Sequence, residues 1–181
     1  MTEVSDGHIL KMMADPATRD KGFTLMMDAY KEKIYWHIRR LVISHEDTED
    51  VLQETFINAY RYAGSFNGQS KVFTWLYRIA TNECIRLFRQ QKKRTDKTQE
   101  LTEKLNKELL VHEPVNGDEI LSKFQKAILL LPEKQRIVFN LRYYDELGYE
   151  EIGQILKTSA NALKTNYHYA SEKIKDYMIN H

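Results

Sequence analysis

Apolar residues recur at steps of three and four along most of this sequence, the spacing that places them on one face of an α-helix. Only 7 glycines and 3 prolines interrupt the 181 residues, and few segments show the alternation of apolar and polar residues that marks a strand. Hydrophobic residues make up 42% of the chain, an ordinary fraction for a protein that folds around a core. The sequence therefore predicts an all-α fold.

The first part of the chain, residues 1–94, is predicted to form one helical domain. Apolar stripes indicate a helix over 22–43, a second that starts near Asp47 as its N-cap, and a third that ends at about 91. A loop rich in Gly, Ser and Asn separates the last two helices at 64–70. Packing the three stripes together gives a compact bundle.

A linker and a second small helical domain are predicted to follow. Residues 95–117 are rich in Lys, Glu, Thr and Gln, which indicates a linker whose middle can be helical. The second domain covers 118–181, and Pro132 suits the first turn of its second helix. The apolar stripe of its first helix consists of Ile120, Leu121, Phe124, Ile128 and Leu131.

The end of the second domain carries the pattern of a helix-turn-helix. A short helix ends at Leu156, residues 157–159 form a tight turn, and a longer helix runs from Ala160 with Ser159 as its N-cap. The outer face of the longer helix carries Asn161, Lys164, Thr165, His168 and Glu172. A recognition helix uses such a face to reach base edges and phosphates, but an ordinary helical hairpin has the same local pattern.

Charge is separated along the chain, although the net charge is only +1. Residues 44–60 contain five acids and no Lys or Arg, whereas residues 65–94 contain seven Lys or Arg and one Glu. Neighbouring segments of opposite charge are expected in a protein that meets a basic partner with one surface and a polyanion with another. The alternative is that both segments are solvated helix faces.

Most of the basic residues in the second segment share one face of the third helix. That face carries Lys71, Arg78, Asn82, Arg86, Arg89 and Lys93. Trp75 lies on the same polar side, where an exposed ring would suit stacking on unpaired bases while the cations hold phosphates. The alternative is that Trp75 packs into the core at the start of the helix.

The sequence lacks the residue patterns of an enzyme. Cys84 is the only cysteine, the six histidines show no metal-ligand spacing, and no glycine-rich phosphate loop is present. We therefore expect no catalytic residues, no metal and no cofactor. No apolar run reaches the length of a membrane span and the first residues do not resemble a signal peptide, so we expect a cytoplasmic protein without membrane insertion.

Four segments of the chain, in order, resemble the extracytoplasmic-function (ECF) sigma factors of the sigma-70 family. The sequence DTEDVLQETF at 47–56 is similar to the helix with which that family grips the polymerase clamp. The sequence FTWLYRIATNECI at 73–85, with the basic residues that follow, resembles the segment that melts the promoter and reads its minus-ten element. The sequences LPEKQRIVF at 131–139 and YEEIGQIL at 149–156 resemble the domain that reads the minus-thirty-five element.

This resemblance implies a role for each group of candidate residues. Core RNA polymerase would be bound by Asp47, Glu49, Asp50, Gln53, Glu54 and Phe56. The minus-ten element would be bound by the basic face, Trp75, and Phe66 and Asn67 in the loop that captures a flipped base. The minus-thirty-five element would be read by Ser159, Asn161, Lys164, Thr165 and His168. The resemblance also implies promoter DNA and an anti-sigma factor as partners.

The last helix departs from the family pattern. Family members commonly carry Gly where this chain has Lys157, and Arg where it has Asn166 and Tyr169, so this chain has fewer fixed charges to anchor phosphates there. Two other functions stay open on the residues alone. A stand-alone helix-turn-helix regulator would not need the acidic surface at 47–54, and a helical interaction adaptor would not need Trp75 among basic residues.

Overall fold

The computed structural model describes residues 5–66, 70–94 and 119–181. Over these residues it contains eight α-helices, one short 3-10 turn and no strand, which confirms the predicted all-α class. The chain divides into two compact units, residues 1–87 and 88–181. The predicted linker at 95–117 lies outside the described residues, and the predicted domain boundaries stay predictions.

Four helices run through the first unit, and the last of them extends past its end at residue 87. They are α1 (Asp6–Ala14), α2 (Arg19–Leu41), α3 (His45–Tyr62) and α4 (Val72–Arg94), with the 3-10 turn at Ala63–Ser65 after α3. The sequence pattern had not indicated α1. It packs closely on α2 at Gly22, where an added Cβ would lie 2.8 Å from the Cβ of Met12.

The N-cap of α3 lies three residues before the predicted one. Ser44, not Asp47, is the N-cap, and its hydroxyl accepts a hydrogen bond from the backbone N–H of Asp47 at 3.3 Å. Asp47 therefore lies in the first turn of the helix, where its negative charge still favours the exposed N–H groups. The acidic residues of α3 thus begin within its first turn.

The core of the first unit follows the predicted stripe of α2. Met26, Ile34, Ile38 and Leu41 are all buried. The buried His37 lies among them, and its Nε2 is 2.9 Å from the Oγ1 of Thr81 on α4. These contacts fix α4 against α2 and leave the opposite side of α4 to solvent.

Four further helices form the second unit: α5 (Glu119–Leu129), α6 (Glu133–Tyr143), α7 (Tyr149–Leu156) and α8 (Ala160–Asn180). Its core includes Ile128, Leu131 and Phe139, packed on Ala170 and Ile174 of α8. The prediction is wrong for the first two residues of the α5 stripe, because Ile120 and Leu121 are 70% and 43% exposed. One turn further along α5, the Nζ of Lys123 donates a hydrogen bond to the carbonyl of Met178 near the end of α8 at 2.7 Å. The first turn of α5 precedes this contact and lies at the edge of the unit.

Helices α7 and α8 have the predicted helix-turn-helix geometry. The hydroxyl of Ser159 caps α8 by accepting a hydrogen bond from the N–H of Ala162 at 3.4 Å. Lys157 ends α7 in the left-handed region at φ 52°, a conformation that favours glycine. A Cβ on Gly153 would lie 2.9 Å from the carbonyl oxygen of Thr158, so this tight turn requires a residue without a side chain there.

Candidate functional site

The acidic face of α3 is largely open to solvent. Glu49, Asp50 and Gln53 are exposed, and Asp47 and Glu54 are half-buried. Phe56, which was predicted for the same partner surface, is only 6% exposed and meets the ring of Phe23 edge-on with centroids 6.3 Å apart. Phe56 therefore lies beneath this surface, because it belongs to the apolar stripe that joins α3 to α2.

A groove of about 490 Å³ runs beside the acidic face, between α2 and α3. Its apolar lining includes Phe23, Met27, Leu52, Phe56 and Ile57, and its polar lining includes Lys31, Glu49, Gln53, Tyr60 and Arg61. The acidic face and the apolar groove share Glu49 and Gln53. Sequence reasoning missed the groove because its lining comes from two helices. The one signal in the sequence is that Phe23 and Met27 lie at the edge of the apolar stripe of α2.

Tyr60 on this groove is held in one orientation by Asp20 of α2. Its phenol donates a hydrogen bond to the Oδ1 of Asp20 at 2.8 Å. The hydrogen bond and the negative charge of Asp20 raise the pKa of Tyr60 above its ordinary value. The ring of Tyr60 also packs edge-on against Phe23 with centroids 5.1 Å apart.

The predicted basic face of α4 lies at the surface. Lys71, Asn82, Arg86, Arg89 and Lys93 are exposed, and Arg78 is half-buried. These side chains follow one side of a helix of 23 residues, which is about 35 Å long at 1.5 Å per residue. Such an array suits contact with several phosphates of one nucleic-acid strand.

Arg86 on this face is paired with two carboxylates. Its Nη2 lies 2.6 Å from the Oε2 of Glu83 and 3.8 Å from the Oε2 of Glu54. The other oxygen of Glu83 accepts a hydrogen bond from the Nδ2 of Asn58 at 2.9 Å. The sequence assigned Glu54 and Arg86 to two different partners, and the structure brings their side chains together.

Trp75 corrects the prediction for the start of α4. It is only 5% exposed, so it does not stand among the basic residues as an open stacking surface. Its ring packs against Phe66 with centroids 4.9 Å apart, and the neighbouring Leu76 and Tyr77 are also buried. The sequence predicted that only one apolar stripe of α4 is buried. That prediction is wrong for the first turns of α4, because they are covered on more than one side. Asn67 lies outside the described residues.

The outer face of α8 presents the polar residues that the sequence placed there. Ser159, Asn161, Lys164, Thr165 and His168 are exposed. Ser159 is engaged as the helix cap, and the Oγ1 of Thr165 donates a hydrogen bond to the carbonyl of Asn161 at 3.0 Å. Asn161, Lys164 and His168 thus extend from this face beside those two engaged hydroxyls.

Two aromatic residues near this face were missed. Tyr149 lies below two cations, with the Nζ of Lys164 at 5.9 Å and the guanidinium of Arg142 at 5.3 Å from its ring centroid. Tyr169 is 54% exposed and lies beside His168, with ring centroids 5.7 Å apart. Spacing within one helix could not reveal Tyr149, because it contacts Lys164 from a different helix.

Within residues 5–66, 70–94 and 119–181, no cluster of His, Cys, Asp and Glu has the geometry to hold a metal ion. None of the described helices is both long enough and apolar enough to cross a membrane. The exposed polar surfaces of α3, α4 and α8 are the candidate functional sites in the part of the chain that the structure describes.

Two segments of the chain match known protein families. Residues 26–94 match the family description of sigma-70 region 2, and residues 121–174 match that of sigma-70 region 4. The chain is 36% identical over 162 residues to the ECF RNA polymerase sigma factor SigW of Bacillus subtilis, covering 84% of this chain and 87% of that protein. It is 33% identical over 174 residues to the ECF RNA polymerase sigma-E factor of Haemophilus influenzae, covering 86% and 87%.

Solved structures share the fold at lower sequence identity. The sigma factor RpoE of Bartonella quintana, solved in complex with the anti-sigma factor NepR, is 20% identical with a TM-score of 0.69, over 88% of this chain and 98% of that one. CnrH, solved in complex with the cytosolic domain of CnrY, is 18% identical with a TM-score of 0.69, over 94% and 95%. Both likenesses support the all-α fold.

Proposed function

The chain belongs to the ECF RNA polymerase sigma factors, and we propose that it binds its partners with three separate surfaces. The surface of α3 binds polymerase, that of α4 binds the minus-ten element, and that of α8 binds the minus-thirty-five element. As a sigma factor it binds core RNA polymerase and directs transcription initiation at selected promoters. Initiation requires one protein to bind a second protein and two stretches of DNA at once. The three exposed surfaces meet that requirement.

The polymerase surface is assigned to α3 and the adjoining groove. Glu49, Asp50 and Gln53 are exposed on α3, and an apolar floor lies next to them. A partner helix with basic residues and apolar anchors would match both features, because charge steers the encounter and apolar burial holds the complex. The burial of Phe56 limits its role to the floor of the groove.

The minus-ten surface is assigned to the exposed basic face of α4. Arg78, Arg89 and Lys93 offer cations along one line, and Asn82 between them offers an amide that can pair with a base edge. Phe66, which follows the 3-10 turn at the start of the loop, packs on Trp75. We assign this pair a supporting role in the proposed base capture. Strand opening would then depend on the loop and the cations, with Trp75 in a supporting position.

The minus-thirty-five surface is assigned to the outer face of α8, with Asn161, Lys164 and His168 as the side chains that reach DNA. The helix-turn-helix geometry supports this assignment, since a capped second helix with an exposed polar face fits the major groove. Neither a stand-alone regulator nor a helical adaptor accounts for the acidic face of α3 together with the basic face of α4.

An anti-sigma factor is the regulator proposed for this chain. The structural neighbours RpoE and CnrH were each solved with a protein partner, which in the first case is named as an anti-sigma factor. The groove between α2 and α3 offers such a partner the same site as polymerase, so that binding of one would exclude the other. The chain is proposed to act in the cytoplasm without a catalytic site of its own.

The observation that carries this proposal is the exposed acidic face of α3 beside an apolar groove, and it can be tested directly. Glu49→Gln with Asp50→Asn should weaken binding to core polymerase about 2- to 10-fold, because exposed ion pairs each contribute about 0–1 kcal/mol. Glu133→Gln with Asp176→Asn is the matched control, since it removes two exposed acids from the second unit. Equal affinity of wild type and the α3 variant, at equal thermal stability, would refute the assignment.

A further inference from the structure

Four side chains connect the proposed polymerase surface to the proposed minus-ten surface. Glu54 and Asn58 belong to α3, and Glu83 and Arg86 belong to α4. Sequence reasoning placed Arg86 on the DNA-binding face as one cation among several. Any new partner of Arg86 must compete with the two carboxylates that already lie beside its guanidinium.

Glu83 is the fixed member of this group. Its side chain is only 13% exposed, and its two oxygens are divided between Asn58 and Arg86 at 2.9 and 2.6 Å. The hydrogen bond from Asn58 crosses from α3 to α4, so the carboxylate is held in place from both helices. The ion pair at this distance keeps the guanidinium of Arg86 beside Glu83, between the two proposed surfaces.

Glu54 is the adjustable member. Its side chain is 45% exposed, that of Arg86 is 55% exposed, and their closest atoms are 3.8 Å apart. An ion pair of this length between exposed groups is weak and readily exchanged for a better partner. Glu54 can therefore pair either with Arg86 or with a basic group on a docked protein.

We propose that Arg86 couples polymerase docking to DNA binding by competing for Glu54. Two carboxylates oppose the single charge of Arg86 in the free protein, which disfavours the approach of a phosphate. When polymerase takes Glu54, Arg86 loses one of its two carboxylates and becomes a better phosphate contact. Linkage requires the reverse as well, so DNA bound at Arg86 releases Glu54 to polymerase.

This inference rests on the proposed function, because it takes Glu54 to face polymerase and Arg86 to face DNA. The proposed coupling predicts that loss of a charge on the protein increases its affinity for polymerase. Removing the charge of Arg86 should strengthen polymerase binding in the absence of DNA, since Glu54 is then uncontested. Loss of a supporting structural contact would weaken binding instead.

The test is a double-mutant cycle on the affinity of the full chain for core RNA polymerase, measured without DNA. We expect Arg86→Gln to bind about two- to fivefold more tightly than wild type, the range that one exposed ion pair spans. In a Glu54→Gln background the same change should have no effect. Lys92→Gln, which removes another exposed charge from α4, is the matched control and should leave the affinity unchanged. Thermal unfolding of each variant confirms that the fold is retained.

Three results would overturn the coupling. Arg86→Gln could bind polymerase no more tightly than wild type, it could bind more tightly whether or not Glu54 is present, or Lys92→Gln could have the same effect. The Glu49→Gln, Asp50→Asn variant separates these failures from failure of the proposed polymerase surface. If that variant weakens binding and Arg86→Gln does not strengthen it, the surface assignment stands and only the coupling is wrong.

Discussion

Trp75 shows how a single residue changes the account of promoter opening. Its ring is buried against Phe66, so it stabilises the junction between the loop and α4 and does not stack on bases from an open surface. Arg86 changes the account in the same way, because its two carboxylates make it a residue of the boundary between surfaces. For both residues, the contacts with a neighbouring segment were not predicted from the position on a helical wheel.

Replacing Trp75 with Ala should destabilise the first unit. Loss of a buried aromatic side chain costs about 3–5 kcal/mol, whereas Trp75→Phe keeps the contact with Phe66 and should cost less. Thermal or urea unfolding followed by circular dichroism measures both variants. If Trp75→Ala unfolds at the wild-type temperature and yet fails to open a promoter, the ring contacts bases and its buried position is not the one used in function.

Individual helices differ in how well the sequence predicts them. The stripe of α2 and the capped start of α8 were predicted, because each depends on residues close together in one helix. Helix α1 was missed, and its packing depends on the close approach at Gly22, which spacing does not reveal. In α4 the predicted polar side is exposed, but Trp75 on that side is covered by Phe66 from the preceding segment. The sequence did not predict the groove between α2 and α3, because its two walls come from separate helices.

The contact between α7 and α8 predicts a positioning role for Tyr149. Its ring holds Lys164 on the proposed minus-thirty-five surface, and a cation over an aromatic ring contributes about 0.5–1 kcal/mol at an exposed site. Tyr149→Leu should therefore weaken binding to a minus-thirty-five duplex about two- to fivefold, whereas Tyr149→Phe should keep most of the affinity because it keeps a ring. Fluorescence anisotropy over a range of salt concentrations measures this.

Lys164→Ala provides the reference for that experiment. Loss of one phosphate contact should lower the slope of log affinity against log salt by about 1. If Tyr149→Leu leaves the affinity unchanged while Lys164→Ala reduces it, the ring does not position the lysine. If Tyr149→Phe is as weak as Tyr149→Leu, the hydroxyl of Tyr149 is the group that matters.

The whole molecule is close to neutral, yet its surfaces carry opposite charge in separate places. A net charge of +1 gives little general attraction to DNA, while the basic face of α4 attracts phosphates and the acidic face of α3 attracts a basic partner. From the proposed coupling through Arg86 we expect the chain to bind DNA better after polymerase has joined it. The proposed polymerase surface lies in the first unit and the proposed minus-thirty-five surface in the second, whereas the proposed minus-ten residues follow α4.

Transcription by core RNA polymerase from a random-sequence DNA library, with and without this chain, tests the central claim most directly. The account predicts start sites that appear only when the chain is present and that share two upstream sequence elements at a constant separation. It also predicts that Glu49→Gln with Asp50→Asn reduces this transcription, while the control variant Glu133→Gln with Asp176→Asn does not. The account would be contradicted if no start site depended on the chain, or if the chain alone protected the same DNA sequences equally well without polymerase.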